Sequence, residues 1–475
     1  MLRHGLPLYV DMDGTLVRTD TLKEAALSLL RRSPWFLVLM VAWLCRGRVA
    51  LKREIASRVA PAPDGLPMHL EFLAFLRAEH ARGRTLVLAT ASDERVARAV
   101  AAHLGLFSHV LATRSANLRG LQKLRAIQAH AQGPFAYAGN SSADLPVWQG
   151  SAEALAVCPS AGVRRRLRRM HPHARIFERQ TATAWALLKA MRPNQWSKNL
   201  LVFLPLLTAH VGEPGQWLQA AAAFIAFGLC ASASYLLNDL FDLEADRAHL
   251  LKRRRPLASG ELGLGLGASS ALLSGAAGLL IAASLSVSLL AMLAGYVALT
   301  LAYSSRLKTI PVVDVLVLAM LYAWRVLAGA LLVAIPLSNW LLGFAWFLFL
   351  SLALVKRCAE LQQASVDAKA LLPGRGYVVE DLPILRAMGI ASGFAAALVL
   401  TLYIDSQNGK ALYPSPGWLW GLVPLQLGWN MRIWLKVARG SLRGEDPVSF
   451  VLGDGYSWLT VTAMGACAVA ASRAG

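Results

Sequence analysis

The sequence predicts a chain of two parts, an α/β region with a parallel sheet followed by an all-α region of membrane-spanning helices. Of the 475 residues, 56% are apolar and only 16% are charged, and the mean hydropathy is +0.46. Soluble globular proteins are usually less apolar. Charged residues are frequent up to about residue 200, whereas Leu218–Leu237 and Leu262–Ser305 contain none. We therefore expect a soluble region to precede a membrane region.

Nine apolar runs in the second part are candidates for crossing the bilayer as helices, which takes about 20 residues each. They lie near 199–211, 217–237, 262–284, 286–304, 311–334, 338–355, 384–404, 417–434 and 451–471. The turns after odd-numbered runs hold one basic residue, Lys410, whereas those after even-numbered runs hold many. By the positive-inside rule we expect a cytoplasmic N-terminal region and an outside C-terminus.

A shorter apolar stretch, Pro34–Cys45, is flanked by Arg31, Arg32, Arg46 and Arg48. Its twelve residues are too few for a typical span. We favour a buried or interfacial helix of the soluble region over a tenth span.

The formal net charge of +20 does not indicate nucleic-acid binding, because most basic residues after 200 lie between apolar runs, where topology requires them. The five cysteines have no CxxC or His-linked spacing, so neither a zinc site nor a disulfide framework is expected. The first ten residues lead directly into a strand-like run rather than a signal peptide.

Residues 7–158 alternate strand-like runs with amphipathic helical stretches near 66–82 and 93–104, which predicts a parallel α/β sheet with an insertion near 20–65. The predicted strands are Leu8–Val10, Leu86–Ala89, His109–Ala112 and Phe135–Ala138. Reactive groups belong at the carboxyl ends of such strands.

Four motifs follow these strands in order, beginning with Asp11-Met-Asp-Gly-Thr and continuing with Thr90, Lys123 and Gly139-Asn-Ser-Ser-Ala-Asp144. Together they resemble the phosphatases of the haloacid dehalogenase superfamily, whose fold is a Rossmann-like parallel sheet with a helical cap. The resemblance implies that Asp11 is the nucleophile and Asp13 the general acid/base. It also implies that Thr90 and Lys123 bind phosphate and that Asp11, the Asp13 carbonyl and Asp144 hold one Mg²⁺.

Asn140 stands where many relatives have a further metal-binding aspartate. An amide oxygen also ligates Mg²⁺, though more weakly than a carboxylate. The alternative to an active phosphatase is a domain that only binds or regulates.

Asn238, Asp239, Asp242 and Asp246 close the second apolar run, and at 100° per residue they fall on one helix face. Clustered acids repel one another without a cation, and Mg²⁺ bound to a diphosphate needs only a few protein oxygens. The alternative is a solvated acidic helix end.

This NDxxDxxxD pattern, followed by Lys252-Arg-Arg-Arg-Pro-Leu-Ala-Ser-Gly260, resembles the UbiA family of intramembrane prenyltransferases, which have a nine-helix fold. The family's second acidic motif is incomplete, because only Asp314 follows Tyr303-Ser-Ser-Arg-Leu-Lys308. Five tracts resemble its decaprenyl-phosphate phosphoribosyltransferase branch. These are Arg192–Leu200, His249–Gly260, Lys356–Glu360, Arg375–Tyr377 and Asp446-Pro-Val.

The resemblance implies phosphoribosyl diphosphate and a polyprenyl phosphate as substrates, with Mg²⁺ held by Asp239, Asp242 and Asp246. Asn238, Tyr303 and a set of basic residues would bind substrate phosphates, although topology alone also explains the basic ones. The basic set is Lys198, Lys252, Arg253, Arg255, Lys308, Lys356, Arg357 and Arg375. Arg325 lies deep in an apolar run and is either functional or paired with Asp314.

The expected domains are a phosphatase-like domain at 1–175, a linker with an interfacial helix at 176–198 and a nine-helix transferase domain at 199–475. The N-terminal domain would remove the 5-phosphate from the transferase product, giving polyprenyl phosphoribose, an arabinan precursor for the cell envelope. An aromatic prenyltransferase with a regulatory N-terminal domain is the alternative. The expected location is the cytoplasmic membrane. Self-association into homo-oligomers is left open by the sequence.

Overall fold

The computed structural model describes residues 5–59, 61–114, 117–178, 181–334, 339–366, 375–442 and 450–473 apart from 452. Its internal contacts divide the chain into two compact units. Unit 1 comprises Met1–Met191 together with Tyr235–Ala271, and unit 2 comprises Arg192–Ser234 together with Leu272–Gly475. The acidic segment after the second apolar run therefore belongs to the same unit as the N-terminal α/β region.

Unit 1 contains the predicted parallel sheet, with six strands in the order β3-β2-β1-β4-β5-β6. All five strand pairs are parallel. The strands are β1 Leu8–Val10, β2 Leu86–Asp93, β3 His109–Thr113, β4 Ala136–Gly139, β5 Glu153–Val157 and β6 Arg175–Phe177. The first four strands were predicted from the sequence, whereas β5 and β6 were not.

Successive strand residues point to opposite faces of this sheet, and each face is covered by its own apolar cluster. Leu8, Val10 and Leu88 belong to one buried cluster, whereas Tyr9 and Val87 belong to the other. Five helices of this region are α4 Leu70–Ala81, α5 Glu94–Leu104, α6 Leu121–Ala131, α7 Leu145–Gln149 and α8 Ala161–Met170. The strands are buried on both faces, which explains their near-continuous apolar sequences.

The predicted insertion near 20–65 is helical, with α1 Thr21–Arg32, α2 Phe36–Cys45 and α3 Arg48–Arg58. Asp20 caps α1 by accepting a hydrogen bond from the Lys23 main-chain N. In α2, Trp43 is buried, but Leu37 and Val41 are more than half exposed. The stretch Pro34–Cys45 thus contains one ten-residue helix with an uncovered apolar face.

The segment 235–271 joins unit 1 through apolar packing on helix α9, Thr183–Met191. Ala186 and Ala190 of α9 form a buried cluster with Leu236, Leu240 and other leucines of the segment. A 28-residue helix, α11 Pro214–Phe241, enters the segment, and a short helix, α12 Leu243–Ala248, follows. This packing brings the acidic motif into unit 1.

Six helices are long and apolar enough to cross a membrane among the residues that the structure describes. They are α11, α13 Leu264–Leu285, α14 Val287–Ser305, α15 Val313–Leu332, α16 Asn339–Val366 and α17 Leu382–Asp405. The other three predicted runs give shorter or less apolar helices. These are α10 Leu204–Thr208 after a 3₁₀ stretch, α19 Leu422–Ala438 and α20 Gly455–Ser472, with α18 Gln407–Leu412 lying between α17 and α19.

Glycines allow close helix approach inside unit 2. A Cβ on Gly329 of α15 would lie 2.1 Å from the Val202 carbonyl oxygen, and one on Gly389 of α17 would lie 2.1 Å from the Trp434 ring. Small residues commonly serve this purpose between membrane helices, where backbones approach closely. The helical core of unit 2 therefore depends on these positions remaining glycine.

Candidate functional sites

A cavity of about 530 Å³ lies in unit 1 at the carboxyl ends of the sheet strands. Asp11 follows β1, and the loop from Asn140 to Asp144 follows β4, so both reach the same edge of the sheet. Both flank the cavity together with Asp13 and Lys123. The structure thus brings these predicted phosphatase residues together, as expected for a parallel sheet.

Lys123 is the buried cation of this cavity and bridges two carboxylates. Its Nζ lies 2.9 Å from Asp11 Oδ1 and 3.4 Å from Asp144 Oδ1. Tyr137 of β4 donates from its hydroxyl to Asp144 Oδ1 at 2.6 Å and accepts from Lys123 Nζ at 3.0 Å. Tyr137 was not predicted as a site residue, and the only sequence signal for it is a phenol inside an otherwise aliphatic strand.

The two carboxylates on Lys123 differ in proton affinity. Burial raises the pKa of Asp11, and the negative charges of Asp144 and Asp13 add to the rise against the opposing effect of Lys123. Burial also disfavours the Asp144 charge, but Lys123 and Tyr137 outweigh it and lower the pKa of Asp144. Asp144 is therefore the better stabilised anion, and Asp11 needs further positive charge to stay ionised.

Asp13 is held by hydrogen bonds on both oxygens. The Thr21 main-chain N donates to Oδ1 at 3.0 Å, and the Ser92 hydroxyl donates to Oδ2. Burial, followed by repulsion from Asp20, raises the pKa of Asp13, which favours a protonated carboxyl that can act as an acid. Sequence analysis also missed Ser92, two residues beyond the predicted Thr90.

The structure changes the placement of Thr90. Strand β2 does not end there but continues to Asp93, and the Thr90 hydroxyl oxygen accepts a hydrogen bond from the Ser92 main-chain N at 3.1 Å. Thr90 is almost fully buried. This bond lies within β2, where the pairing with β3 shifts register between Ala89 and Asp93, and Ser92 of the same stretch donates to Asp13.

The donor set of the cavity fits a magnesium ion with mixed ligands. Asn140 packs against Gly14, where an added Cβ would lie 2.0 Å from Asn140 Nδ2, and the left-handed φ of +75° there also favours glycine. No cluster of three acidic, histidine or cysteine side chains suited to a metal occurs among the described residues. The predicted oxygen ligands, from Asp11, the Asp13 carbonyl, Asp144 and Asn140, are of the kinds that Mg²⁺ accepts, with water completing its shell.

The acidic motif forms a second candidate site in unit 1, but not on one uninterrupted helix. Helix α11 ends at Phe241, and Asp242 has φ −98° and ψ 15° as the residue that caps α12. The four motif residues therefore span two helices that meet at Asp242, rather than the single helix end that was expected. The break still leaves Asp239 and Asp246 converging on one cation, the guanidinium of Arg255.

Arg255 Nη1 lies 3.0 Å from Asp239 Oδ1 and 2.7 Å from Asp246 Oδ2. Burial raises the pKa of Asp246, and Arg255 opposes that rise only in part. The same two carboxylates are suitable ligands for a divalent cation. In that case the Arg255 guanidinium would leave the carboxylates and pair with an anionic ligand instead. Of the other predicted residues, Asn238 belongs to α11, and Lys252 and Arg253 form an exposed 3₁₀ turn before Arg255.

Helix α1 of the insertion packs along this motif with one face. Glu24 accepts two hydrogen bonds from Arg247, at 2.5 and 2.8 Å, and Leu27 joins the leucine cluster of the segment. Arg31 Nη2 lies 3.6 Å from Asp242 Oδ1. Glu24, Leu27 and Arg31 are spaced i, i+3 and i+7, which places them on one side of a helix.

In unit 2, Arg375 donates to the Tyr303 hydroxyl at 2.7 Å, so two predicted phosphate-binding residues are neighbours. Lys198 lies 6.0 Å from the centre of the Tyr322 ring. Lys308 forms part of a 3₁₀ turn after α14, and Lys356 lies in α16. The Asp446-Pro-Val tract lies outside the described residues.

Arg357 does not fit the predicted phosphate-binding role. Its side chain has no exposed surface and pairs with Asp314 and Glu360. Tyr377 adds a hydrogen bond from its hydroxyl to Asp314 Oδ1 at 2.5 Å. The remnant of the second acidic motif is thus neutralised inside unit 2, where a buried acid requires a partner.

Arg325 is buried but is not paired with Asp314, so that alternative is wrong. Its Nε donates to Asn199 Oδ1 at 2.8 Å, and its Nη2 donates to the Tyr296 hydroxyl at 2.7 Å. The guanidinium also lies 4.9 Å from the centre of the Tyr296 ring, within cation–π range. Neutral hydrogen-bond acceptors and aromatic faces therefore hold this charge.

Comparison with known proteins finds relatives of both parts of the chain. Residues 199–452 match the UbiA prenyltransferase family, and residues 8–149 match haloacid dehalogenase-like hydrolases. An uncharacterized protein of Sinorhizobium fredii, y4nM, is 36% identical over 460 residues, which are 95% of this chain and 88% of that protein. This relative shares nearly the whole length of the chain.

A decaprenyl-phosphate phosphoribosyltransferase of Mycolicibacterium smegmatis is 42% identical over 183 residues, which are 38% of this chain and 58% of that protein. A solved UbiA homolog from Archaeoglobus fulgidus, bound to GPP and Mg²⁺, has a TM-score of 0.43 at 15% identity and covers 58% of this chain and 99% of its own.

The matching residue ranges agree with the order of the motifs along the sequence. The chain belongs to the UbiA prenyltransferase family and carries a haloacid dehalogenase-like domain at its N-terminal end.

Proposed function

We propose that the chain transfers 5-phosphoribose from phosphoribosyl diphosphate to a polyprenyl phosphate, and that its N-terminal domain then removes the 5-phosphate. The observation that carries the proposal is the convergence of Asp239 and Asp246 on Arg255. It occurs in a chain that is 42% identical, over 183 residues, to a decaprenyl-phosphate phosphoribosyltransferase. A donor with phosphates at both ends suits this mixture of acidic and basic groups.

In the transfer step, a phosphate oxygen of the polyprenyl phosphate bonds to ribose C1. The C1–O bond to the diphosphate breaks, and the diphosphate leaves with its electron pair. Mg²⁺ held by Asp239, Asp242 and Asp246 would stabilise the leaving diphosphate. Arg255 is placed to exchange its aspartate contacts for a phosphate oxygen, while Asn238, Lys252 and Arg253 lie close to it in sequence and supply further donors.

Residues of unit 2 complete this proposal as binders of the two anionic substrates. Lys198, Tyr303, Lys308, Lys356 and Arg375 are the candidates, and the adjacent Arg375 and Tyr303 form the best supported pair. Orienting two anions against each other accounts for much of the expected rate enhancement.

In the dephosphorylation step, the Asp11 carboxylate attacks the phosphorus of the 5-phosphate, and Asp13 gives a proton to the departing ribose oxygen. Water then cleaves the aspartyl phosphate, with Asp13 accepting its proton. Lys123 holds Asp11 at 2.9 Å and offsets the charge that accumulates when two anions meet. Mg²⁺ bound by Asp11, the Asp13 carbonyl and Asp144, with Asn140 as a weaker ligand, would add to that charge compensation.

The proposal includes a cytoplasmic N-terminal domain, a C-terminus outside and a bundle of nine helices. The six long apolar helices support a membrane bundle, and the shorter α10, α19 and α20 would complete the count. Domain limits at 175 and 198, self-association into homo-oligomers and a role of the product in cell-envelope arabinan synthesis belong to the same proposal.

The test is to incubate the purified full-length protein with labelled phosphoribosyl diphosphate, polyprenyl phosphate and Mg²⁺, and to separate the lipid products. The parent protein should give lipid-linked ribose without a 5-phosphate. Asp11→Asn should accumulate the 5-phosphorylated lipid, and Asp242→Asn should form neither product. Asp405→Asn, at an exposed position at the end of α17 and outside the cavity lining, is the matched control and should behave like the parent.

Two results would contradict the proposal separately. If the parent forms no lipid-linked ribose but does transfer a prenyl group to an aromatic acceptor, the transferase assignment is wrong. If Asp11→Asn gives the same dephosphorylated lipid as the parent, the N-terminal domain is not the phosphatase and has a regulatory role.

A further inference from the structure

One wall of the 530 Å³ phosphatase-like cavity comes from the segment that follows the acidic motif. Gly260, Glu261 and the run Gly263–Leu266 flank the cavity together with residues of the N-terminal α/β region. All of these residues belong to unit 1. The cavity is therefore formed by two stretches of chain that are far apart in sequence.

This wall is fixed closely against the N-terminal region. Gly260 has a φ of +73°, and a Cβ there would lie 2.5 Å from Arg18 Cβ and 3.3 Å from Pro67 Cγ. The buried Glu24–Arg247 pair ties the same segment to α1. Arg247 Nε also donates to the Ala258 carbonyl oxygen at 3.0 Å, so the pair supports the loop that leads to the wall.

The wall is also the beginning of a membrane helix. Gly265 and Leu266 lie in the first turn of α13, which continues for a membrane-crossing length. A spanning helix emerges from the hydrocarbon core at about the depth of the lipid headgroups. The side of the cavity that this first turn lines is therefore expected near the level of the headgroups.

The insertion of unit 1 independently indicates contact with that surface. Trp35, Leu37, Val38, Val41 and Leu44 on and before α2 are all at least half exposed, and arginines flank the helix on both sides. An exposed apolar helix with basic flanks is typical of segments that lie in the membrane interface. Unit 1 thus has two features that belong at the level of the headgroups.

The chemistry of the cavity changes from its floor to its rim. The floor holds Asp11, Asp13 and Lys123, which suit a phosphomonoester. Leu70 and Leu266 also flank the cavity, and 69% and 40% of their surfaces are exposed. The exposed lining thus mixes these two leucines with charged side chains such as Lys23, Glu71 and Arg119, a combination that fits the boundary between a phosphorylated headgroup and its lipid chain.

We propose that residues 260–266 form a specificity wall, which directs the phosphatase site to phosphomonoesters carried on membrane-anchored headgroups. This rests on the dephosphorylation step of the proposed function. The wall acts by shape and by its place at the bilayer surface, since the reacting groups all come from the N-terminal region. A lipid-linked sugar phosphate reaches the floor from the membrane side, along the first turn of α13.

Two glycines make the wall testable. A Cβ on Gly263 would have no atom within 4 Å, and one on Gly265 would meet only Lys23 Nζ, at 3.7 Å. Neither has a φ in the left-handed region, so both accept a side chain without backbone strain. Gly263→Leu and Gly265→Leu should fold normally and fill space beside the cavity. Gly162→Leu, which also has no atom within 4 Å and lies outside the cavity lining, is the matched control.

Each full-length variant is reconstituted in lipid bilayers and given three substrates: lipid-linked ribose 5-phosphate made with the Asp11→Asn protein, free ribose 5-phosphate, and p-nitrophenyl phosphate. The parent should hydrolyse the lipid-linked substrate much faster than free ribose 5-phosphate. Both wall variants should lose about tenfold or more on the lipid substrate, because added side chains obstruct its approach. Their hydrolysis of p-nitrophenyl phosphate should stay within about twofold, and Gly162→Leu should match the parent throughout.

The wall is refuted if the parent is active on the lipid and both wall variants keep that activity, or if all substrates decline equally in them. Equal rates of the parent on free and lipid-linked ribose 5-phosphate also overturn it. A parent that never dephosphorylates the lipid contradicts the proposed function itself, and the wall falls with it.

Discussion

The buried pair between Glu24 and Arg247 should be a main determinant of the stability of unit 1. The two terminal guanidinium nitrogens of Arg247 donate to the Glu24 carboxylate, and the side chains of Glu24 and Arg247 are only 7% and 9% exposed. Glu24→Gln keeps the shape of the side chain and removes its charge. The change leaves the Arg247 guanidinium buried next to an amide that cannot neutralise it.

The expected cost follows from that burial. Removing one partner of a buried ion pair costs about 3–5 kcal/mol. Arg247 keeps its hydrogen bond to the Ala258 carbonyl oxygen, so we expect a value near the lower limit, about 3 kcal/mol. For a domain of this size that corresponds to a decrease of roughly 6–12 °C in melting temperature. The charge-swapped double variant, Glu24→Arg with Arg247→Glu, should recover part of the loss.

The assay is thermal unfolding of the detergent-solubilised protein, followed by both enzyme activities below the transition. Transferase activity should fall with stability, because Arg247 directly follows Asp246 of the acidic motif. The control is Glu54→Gln, which removes an ion pair with Arg58 on the surface of α3 and should shift the melting temperature only slightly. A Glu24→Gln protein that melts and reacts like the parent would refute the reasoning.

Three further changes test other parts of the chain. Arg255→Gln should lower transferase activity about tenfold or more, because it removes the cation between two carboxylates. Hydrolysis of p-nitrophenyl phosphate should stay unchanged, and an unchanged transfer rate would contradict this prediction. Tyr377→Phe should destabilise unit 2 by about 1–3 kcal/mol in thermal unfolding, because Asp314 loses a buried hydrogen bond; an unchanged transition would show the bond to be dispensable. Gly329→Val should lower the yield of folded protein in size-exclusion chromatography, because its side chain collides with the Val202 carbonyl oxygen, and a normal yield would mean that the helices separate easily.

Local sequence patterns carried most of the information about the phosphatase-like site. Asp11 directly follows a buried apolar strand, and the loop from Asn140 to Asp144 follows another, so the topology of a parallel sheet places them together. Lys123 was found from its motif alone. Tyr137 and Ser92 were not found, because a phenol or hydroxyl in a strand has no distinct sequence signature until its partner is known.

The acidic motif shows where such patterns stop being informative. Helical periodicity placed four residues on one face, but the helix breaks at Asp242, and nothing in the local residue types predicts that break. The partner of Arg247 lies 223 residues away, and the partner of Asp314 is Arg357 rather than Arg325 on the same helix. Long-range ion pairs depend on tertiary packing, so sequence spacing alone does not identify them.

The predicted membrane runs divide according to length and composition. The six with helices of 19 or more residues form candidate spans in the structure. The stretch near 199–211, which includes Pro205, forms a 3₁₀ turn and a five-residue helix. Hydropathy measures the apolar content of a stretch and does not reveal whether its backbone forms a continuous helix. The remaining two runs form helices of 17 and 18 residues.

Because unit 1 is built from two separate stretches of chain, it cannot finish folding until the second stretch has been synthesised. Its two stretches are separated by residues 192–234, so about 80 residues follow Met191 before Ala271 is added. At ordinary elongation rates that interval lasts roughly 4–16 s. In this interval the Glu24 carboxylate and the Leu27 side chain lack their later partners, which are Arg247 and the leucine cluster. The N-terminal region therefore completes its structure only after α11 has been synthesised, which couples maturation of the phosphatase-like cavity to membrane insertion.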